Sequence, residues 1–296
     1  MKDRYYTVAH HIYRIVFADD KNDETLLPSS EVFAVDEKPT ENDHLLFTLT
    51  VDDSFRPAKK GEEIGQFDCG GCNHGVYQLE DGTYQILVCD INGRHACLLQ
   101  AASDFSSGVV ALNGLRHTRS FGLNNALMMM YAFAGADKQT LLMHASVVRK
   151  DGKGYLCLGT SGTGKSTHTG LWLKYIPDTD LMNDDNPVVR IIDGVPTVFG
   201  SPWSGKTPCY RNVEAPIGGF LQLKQAPYNK IRRQTVIEAF ASLLPSCSVM
   251  KWDRRDYLGC CDAVQAIMET VPTYFLECLP DEEACRLSYT TVCSEK

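Results

Sequence analysis

Hydrophobic and polar positions alternate with a period near two through the first 120 residues: Tyr5 to Phe17, His44 to Val51, Val76 to Leu79, Tyr84 to Cys89 and Ala96 to Leu99. Such alternation marks half-buried strands. Asp81-Gly82 and Asn92-Gly93 separate the last three runs, and these dipeptides favour tight hairpin turns because glycine reaches positive φ freely. Residues 1–120 are therefore expected to form a β-rich N-terminal region. The charged segment Asp20 to Glu41, with Pro28 and Pro39, reads as a long surface excursion from it.

From Phe121 the period lengthens. Leu123, Leu127 and Tyr131 recur at helical spacing with Met128 to Met130 as core filling, and the helix is expected to end near Gly135. Leu141 to Val148 reads as a strand, Asp151-Gly152 as a hairpin turn, and Tyr155-Leu-Cys-Leu158 as a buried strand. A helix from Lys165 to about Tyr175 is stopped by Pro177; Leu181 to Asp185 follows as a short buried strand. Val188 to Ile192 and Val195 to Phe199, joined at Asp193-Gly194, form another hairpin. Beyond a long loop, Gly200 to Asn212, come a strand (Ile217 to Leu223) and two helices, one on Val236, Phe240, Leu243 and Leu244, the other on Leu258, Cys261, Val264 and Met268. A strand from Val271 to Leu279 and a short helix capped by Asp281 complete the pattern. Strands and helices mix without regular βαβ alternation. The expected fold is α/β with α+β character, with residues 121–296 as a second domain on a mixed sheet.

Composition narrows the function. The 296 residues carry a formal charge of −8 with no basic run, which argues against a nucleic-acid surface. No window approaches the ~20 apolar residues of a spanning helix, so a soluble, cytoplasmic protein without a membrane partner is expected. The twelve cysteines sit mostly singly inside apolar segments, as at Cys157, Cys247 and Cys285, and read as buried reduced thiols. Cys69-Gly-Gly-Cys72 with His74 is the exception: it forms half of a zinc site or a redox pair if Cys89, Cys97 or His95 folds close, and otherwise a tight turn.

Gly159-Thr160-Ser161-Gly162-Thr163-Gly164-Lys165-Ser166 fits the phosphate-cradling pattern G-x-x-x-x-G-K-[ST] at every fixed position, between an apolar strand and a helix. Its glycines turn backbone N–H groups inward as an anion nest, and the helix adds its positive dipole end. Lys165 is then expected to reach the outer phosphates of a nucleotide and the Ser166 hydroxyl to hold Mg²⁺. A glycine-rich surface turn would explain neither Lys165 nor the strand before it. Magnesium needs a further carboxylate at the end of a neighbouring strand, and Asp184 and Asp185 meet that need. Adjacent strand residues point to opposite faces, so without a bend the two acids take different roles, one on the metal and one accepting a proton. His144, brought back by the hairpin, is expected beside the loop, where an imidazole can orient a carboxylate and share its proton. Trp172 and Trp252 read as packing residues; His168, one turn into the helix, either touches the base or phosphates or merely caps the exposed side, the latter preferred. Lys206 and Arg211, in the long loop, are either cations for the transferred phosphoryl or an anionic acceptor or ordinary charges of a solvated loop.

The order of strand His144-Ala-Ser-Val-Val, phosphate loop, helix, and Leu-Met-Asn-Asp184-Asp185 resembles HPr kinase/phosphorylase, a bacterial enzyme that phosphorylates a serine on a sugar-transport phosphocarrier. The loop text Ser161 to Thr167 and the paired acids also resemble phosphoenolpyruvate carboxykinase, which shares that nucleotide-binding core. The resemblance covers about residues 140–192. It implies an ATP- and Mg²⁺-dependent kinase in which Gly159 to Thr167 hold the phosphates, Ser166 and Asp185 bind Mg²⁺, Asp184 is the base and His144 supports it, with the two aspartates interchangeable. It also implies a homo-oligomer. Thr167-His168 replaces the Glu that commonly follows the loop in HPr kinases, and Gly200 to Asn212 stands in place of their E-[IV]-R-G-x-G segment, so a protein serine and a small-molecule hydroxyl both remain candidate acceptors. A nucleotide-responsive regulator without transfer activity and a carboxykinase-like enzyme are the alternatives.

Overall fold

The computed structural model describes residues 2–40, 43–67, 73–205 and 207–294. Cys69, Cys72 and Lys206 lie outside the described residues. The chain divides into two compact units, residues 1–135 with 250–254, and residues 136–249 with 255–296.

The first unit holds β1 (Lys2–Val8), β2 (His11–Phe17), β3 (Leu45–Val51), β4 (Glu62–Phe67), β5 (His74–Gln78), β6 (Tyr84–Cys89), β7 (His95–Ala101), β8 (Ser107–Leu112) and α1 (Arg116–Gly135). They form one mixed sheet in the order β1-β2-β3-β8-β7-β6-β5-β4, in which β2–β3 and β3–β8 are parallel. The hairpins at Asp81-Gly82 and Asn92-Gly93 form as expected, with both glycines at positive φ. The alternation from Tyr5 to Phe17 divides at Ala9-His10, where two non-glycine residues take φ of 47° and 61°. Over its described residues, 20–40, the charged segment does not form a plain surface excursion. Two 3₁₀ turns, Glu24–Leu26 and Pro28–Phe33, sink Leu26, Leu27 and Phe33 into the core, because the apolar side chains of this charged segment are spaced to share one side. Helix α1 clusters with these strands, and its Tyr131 hydroxyl donates to Val8 O at 2.9 Å. Trp252 packs as a structural residue, its ring 5.4 Å from that of Phe67.

The second unit contains β9 (Thr140–Leu142), β10 (Ala145–Lys150), β11 (Lys153–Leu158), α2 (Lys165–Tyr175), β12 (Asp180–Asp185), β13 (Val188–Ile192), β14 (Val195–Phe199), β15 (Glu214–Gln225), β16 (Lys230–Arg233), α3 (Val236–Leu243), α4 (Arg254–Met268), β17 (Thr273–Cys278) and α5 (Glu282–Ser294). The central run of its mixed sheet is β12-β10-β11-β15-β17-β16, with β11–β15 and β15–β17 parallel. Strand β15 continues into pairing with β14, followed by β13 and β9. Tyr155 to Leu158 is buried on both faces. Leu156 and Leu158 pack with Val147, Phe220 and the α4 residues Val264 and Ile267; Tyr155 and Cys157 pack with Trp172 of α2 and Cys285 and Val292 of α5. The result is a sheet covered by helices on both faces.

Leu141 to Val148 is not one strand. It breaks at Met143-His144 because β9 pairs with β13 while β10 pairs with β11 and β12. Among the described residues no helix is long and apolar enough to cross a membrane, the cysteines are free thiols, and no group of three His, Cys, Asp or Glu side chains is placed to hold a metal.

Candidate functional site

Register sets up the site. In β10, Ala145 pairs with Leu158 on one side and Asp185 on the other, so three strand ends lie side by side. His144 precedes one, the phosphate loop follows another, and Asp184-Asp185 close the third. Gly159, Gly162 and Gly164 take φ of 146°, 81° and 106°, values that L side chains rarely adopt. Gly164 caps α2 without a side-chain hydrogen bond and no acidic residue occupies the first turn, so the helix's leading N–H groups and positive end are left for an anion. Lys165 is buried and donates from Nζ to Gly159 O at 2.9 Å. Burial pushes its ammonium below the usual lysine range, against the opposing pull of Asp185 and then Asp184. Gln225, at the end of β15, donates to Gly162 O at 3.1 Å and steadies the loop tip.

The two aspartates are divided between two partners. Ser166 Oγ donates to Asp184 Oδ1 at 2.8 Å, while His144 Nε2 lies 3.0 Å from Asp185 Oδ1. Strand alternation should send these carboxylates to opposite faces, but Asp185 has φ of 119°, far from the ordinary left-handed well. Strain of that kind costs of order 1–3 kcal/mol and persists only where surrounding contacts enforce it. Both carboxylates act on the charge of Lys165. The His144 hydrogen bond, opposed by burial and aided by the charge of Lys165 and by Asn186, holds Asp185 below the usual carboxylate range.

A polar network surrounds this bend. Asn183, fully buried, donates from Nδ2 to Trp203 O at 3.1 Å and to Ser201 Oγ at 3.2 Å, and its Oδ1 accepts from Asn186 N at 2.9 Å. Asn186 Nδ2 in turn donates to Asp185 Oδ2 at 3.0 Å. The loop then returns: Ser204 Oγ and Gly205 N both donate to Asp184 O, at 2.9 and 2.6 Å. A Cβ on Gly205 would stand 2.9 Å from that of Asp185, so only glycine fits there. Sequence reasoning missed Asn183, Asn186, Ser201 and Gly205; their only signal was the density of Asn, Ser and Gly flanking the acids.

Arg211 is not brought to the loop. It bonds Asp180 at 2.7 Å, at the other end of β12 from the paired acids, and Arg149 bonds the same carboxylate at 2.8 Å. Thr160 and Thr163 close the loop on itself, with Thr163 Oγ1 donating to Thr160 O at 2.7 Å, and Ser161 and Thr167 are exposed beside it. His168 is structural: its Nε2 meets Ser288 Oγ at 2.9 Å, as does Trp172 Nε1, and burial pushes the imidazole down to about 4. Next to Gly162, Thr163 and Gly164 opens a cleft of about 660 Å³ walled by Leu171, Leu223, Ala226, Pro227, Leu279 and Pro280.

Oxygen donors at Ser166 and Asp184, 2.8 Å apart beside the nest, suit a hard cation such as Mg²⁺. No protein-family model matches the chain, and no curated protein is significantly similar to it.

Proposed function

We propose that this chain is an ATP-dependent, Mg²⁺-requiring kinase with an HPr kinase/carboxykinase-like core, transferring the terminal phosphoryl group to a hydroxyl of a protein or small molecule. The observation that carries the reading is the convergence of Lys165, the Ser166–Asp184 pair and the His144–Asp185 pair on one phosphate loop. Gly159 to Thr167 cradle the phosphates, and Lys165 leaves Gly159 O to meet the outer ones. The apolar cleft beside the loop takes the base.

Geometry supports the second of the two role assignments that the sequence left open. Ser166 and Asp184 would hold Mg²⁺, which supplies charge neutralisation on the phosphates. Asp185, ionised and held by His144, accepts the proton of the acceptor hydroxyl as its oxygen bonds to the terminal phosphorus and the bond to ADP breaks. Labelled-nucleotide transfer tests this against lysate fractions that separate proteins from metabolites. Lys165→Ala is expected to lose nucleotide binding. Asp185→Asn is expected to keep binding within a few-fold and lose about 10²–10⁴ in transfer, whereas Asp184→Asn raises the Mg²⁺ requirement. Undiminished turnover in Lys165→Ala and Asp185→Asn would reject the reading.

A further inference from the structure

Two observations at this site are unexplained by phosphate binding: a strained non-glycine backbone at Asp185, and a fully buried asparagine two residues earlier. We propose that Asn183 is a positioning residue whose carboxamide, with the Ser201 hydroxyl, locks the turn after β12 against residues 201–203 and so aims the Asp185 carboxylate at His144. This rests on the kinase reading for its consequence in catalysis, and on geometry alone for the positioning.

The wiring is specific. Asn183 uses both amide donors and its acceptor: Trp203 O, Ser201 Oγ and Asn186 N. Ser201 Oγ accepts from Trp203 N at 3.2 Å and lies 2.5 Å from Asn186 O and 2.9 Å from Trp203 O, so a single buried hydroxyl ties the turn to the loop at both ends. Asn186, fixed through its backbone N–H to Asn183, presents its own amide to Asp185 Oδ2, leaving Oδ1 to His144. Each oxygen of the carboxylate thus has one fixed neighbour. Asp185 also pairs with Ala145 and Ser204, and the polar network is what adds a fixed partner on the side of its carboxylate; without it, relaxation of φ from 119° toward ordinary strand geometry would swing that carboxylate away from His144.

The test follows the imidazole ring-nitrogen signals of His144 by NMR in the full chain, with Asp185→Asn as the reference for a broken contact. Asn183→Ala and Ser201→Ala are each expected to move those signals at least halfway to the Asp185→Asn positions. In transfer assays the same variants should lose about 10–100-fold in kcat with the nucleotide KM within twofold. Ser201→Ala removes one hydroxyl and serves where Asn183→Ala does not fold. Native His144 signals in folded Asn183→Ala or Ser201→Ala, or no displacement in Asp185→Asn itself, overturn the inference. Displaced signals in a protein that transfers no phosphoryl group leave the positioning standing and reject the kinase reading.

Discussion

Burial keeps the imidazole of His168 neutral, with its proton affinity pushed down to about 4 from the ordinary 6.5. The unfolded chain therefore binds a proton between those values that the folded chain refuses. Stability from this group is complete above pH 6.5 and is lost as pH falls toward 4, at about 1.4 kcal/mol per unit. Between pH 6.5 and 5 the expected loss is on the order of 2 kcal/mol. His168→Gln, which keeps an amide within reach of Ser288, should flatten that part of the profile in urea unfolding at fixed ionic strength. An unchanged slope would show that His168 is protonated in the folded chain. At this scale the sequence was informative only where chemistry fixes spacing. The phosphate loop was legible from Gly159 to Ser166, because glycine, lysine and hydroxyl must stand at set positions. The division of labour between Asp184 and Asp185 was not, since alternation is a rule about relaxed strands and Asp185 is strained.

Besides apolar packing around Trp172, helix α2 is joined to α5 through one buried hydroxyl. Ser288 Oγ meets both His168 Nε2 and Trp172 Nε1 at 2.9 Å, and all three side chains are buried. Ser288→Ala leaves two buried polar groups unpartnered, each costing about 1–3 kcal/mol. A fall of roughly 2–4 kcal/mol in unfolding free energy is expected. A change below about 0.5 kcal/mol would mean that water replaces the hydroxyl. Elements with a local signature were readable in advance: the hairpins at Gly82, Gly93, Asp151-Gly152 and Asp193-Gly194, and α2, bounded by Lys165 and Tyr175 as expected. The break at His144 was not, because Leu141 to Val148 is apolar throughout and only its partners decide where it changes sheet neighbours. Nor was the turn at Ala9-His10, whose residues lack the Asn-Gly or Asp-Gly chemistry that marks positive φ. Arg211 failed for a related reason: Asp180, 31 positions away in sequence, claims it.

At the scale of the whole molecule, a formal charge of −8 repels a polyanion, so the proposed nucleotide binding would depend on the local field of Lys165, the glycine nest and the α2 N-terminus. All of these belong to the unit of residues 136–249 and 255–296. A ligand that binds only the folded form stabilises it by RT ln(1 + [L]/Kd), about 2.7 kcal/mol at a hundredfold excess over Kd. For a unit of about 150 residues that corresponds to a rise of roughly 5–10 °C in melting temperature. The rise should appear with ATP and Mg²⁺ together, shrink when Mg²⁺ is chelated, and vanish in Lys165→Ala. Hydrogen exchange can locate the effect. Added protection is expected across 159–175 and 181–186, with the amides of 2–112 exchanging as before, because the register that gathers Leu158, Ala145 and Asp185 makes loop and acids respond together. A thermal shift that survives in Lys165→Ala, or protection gained only in the first unit, would place the nucleotide away from the phosphate loop and remove the basis for kinase chemistry there.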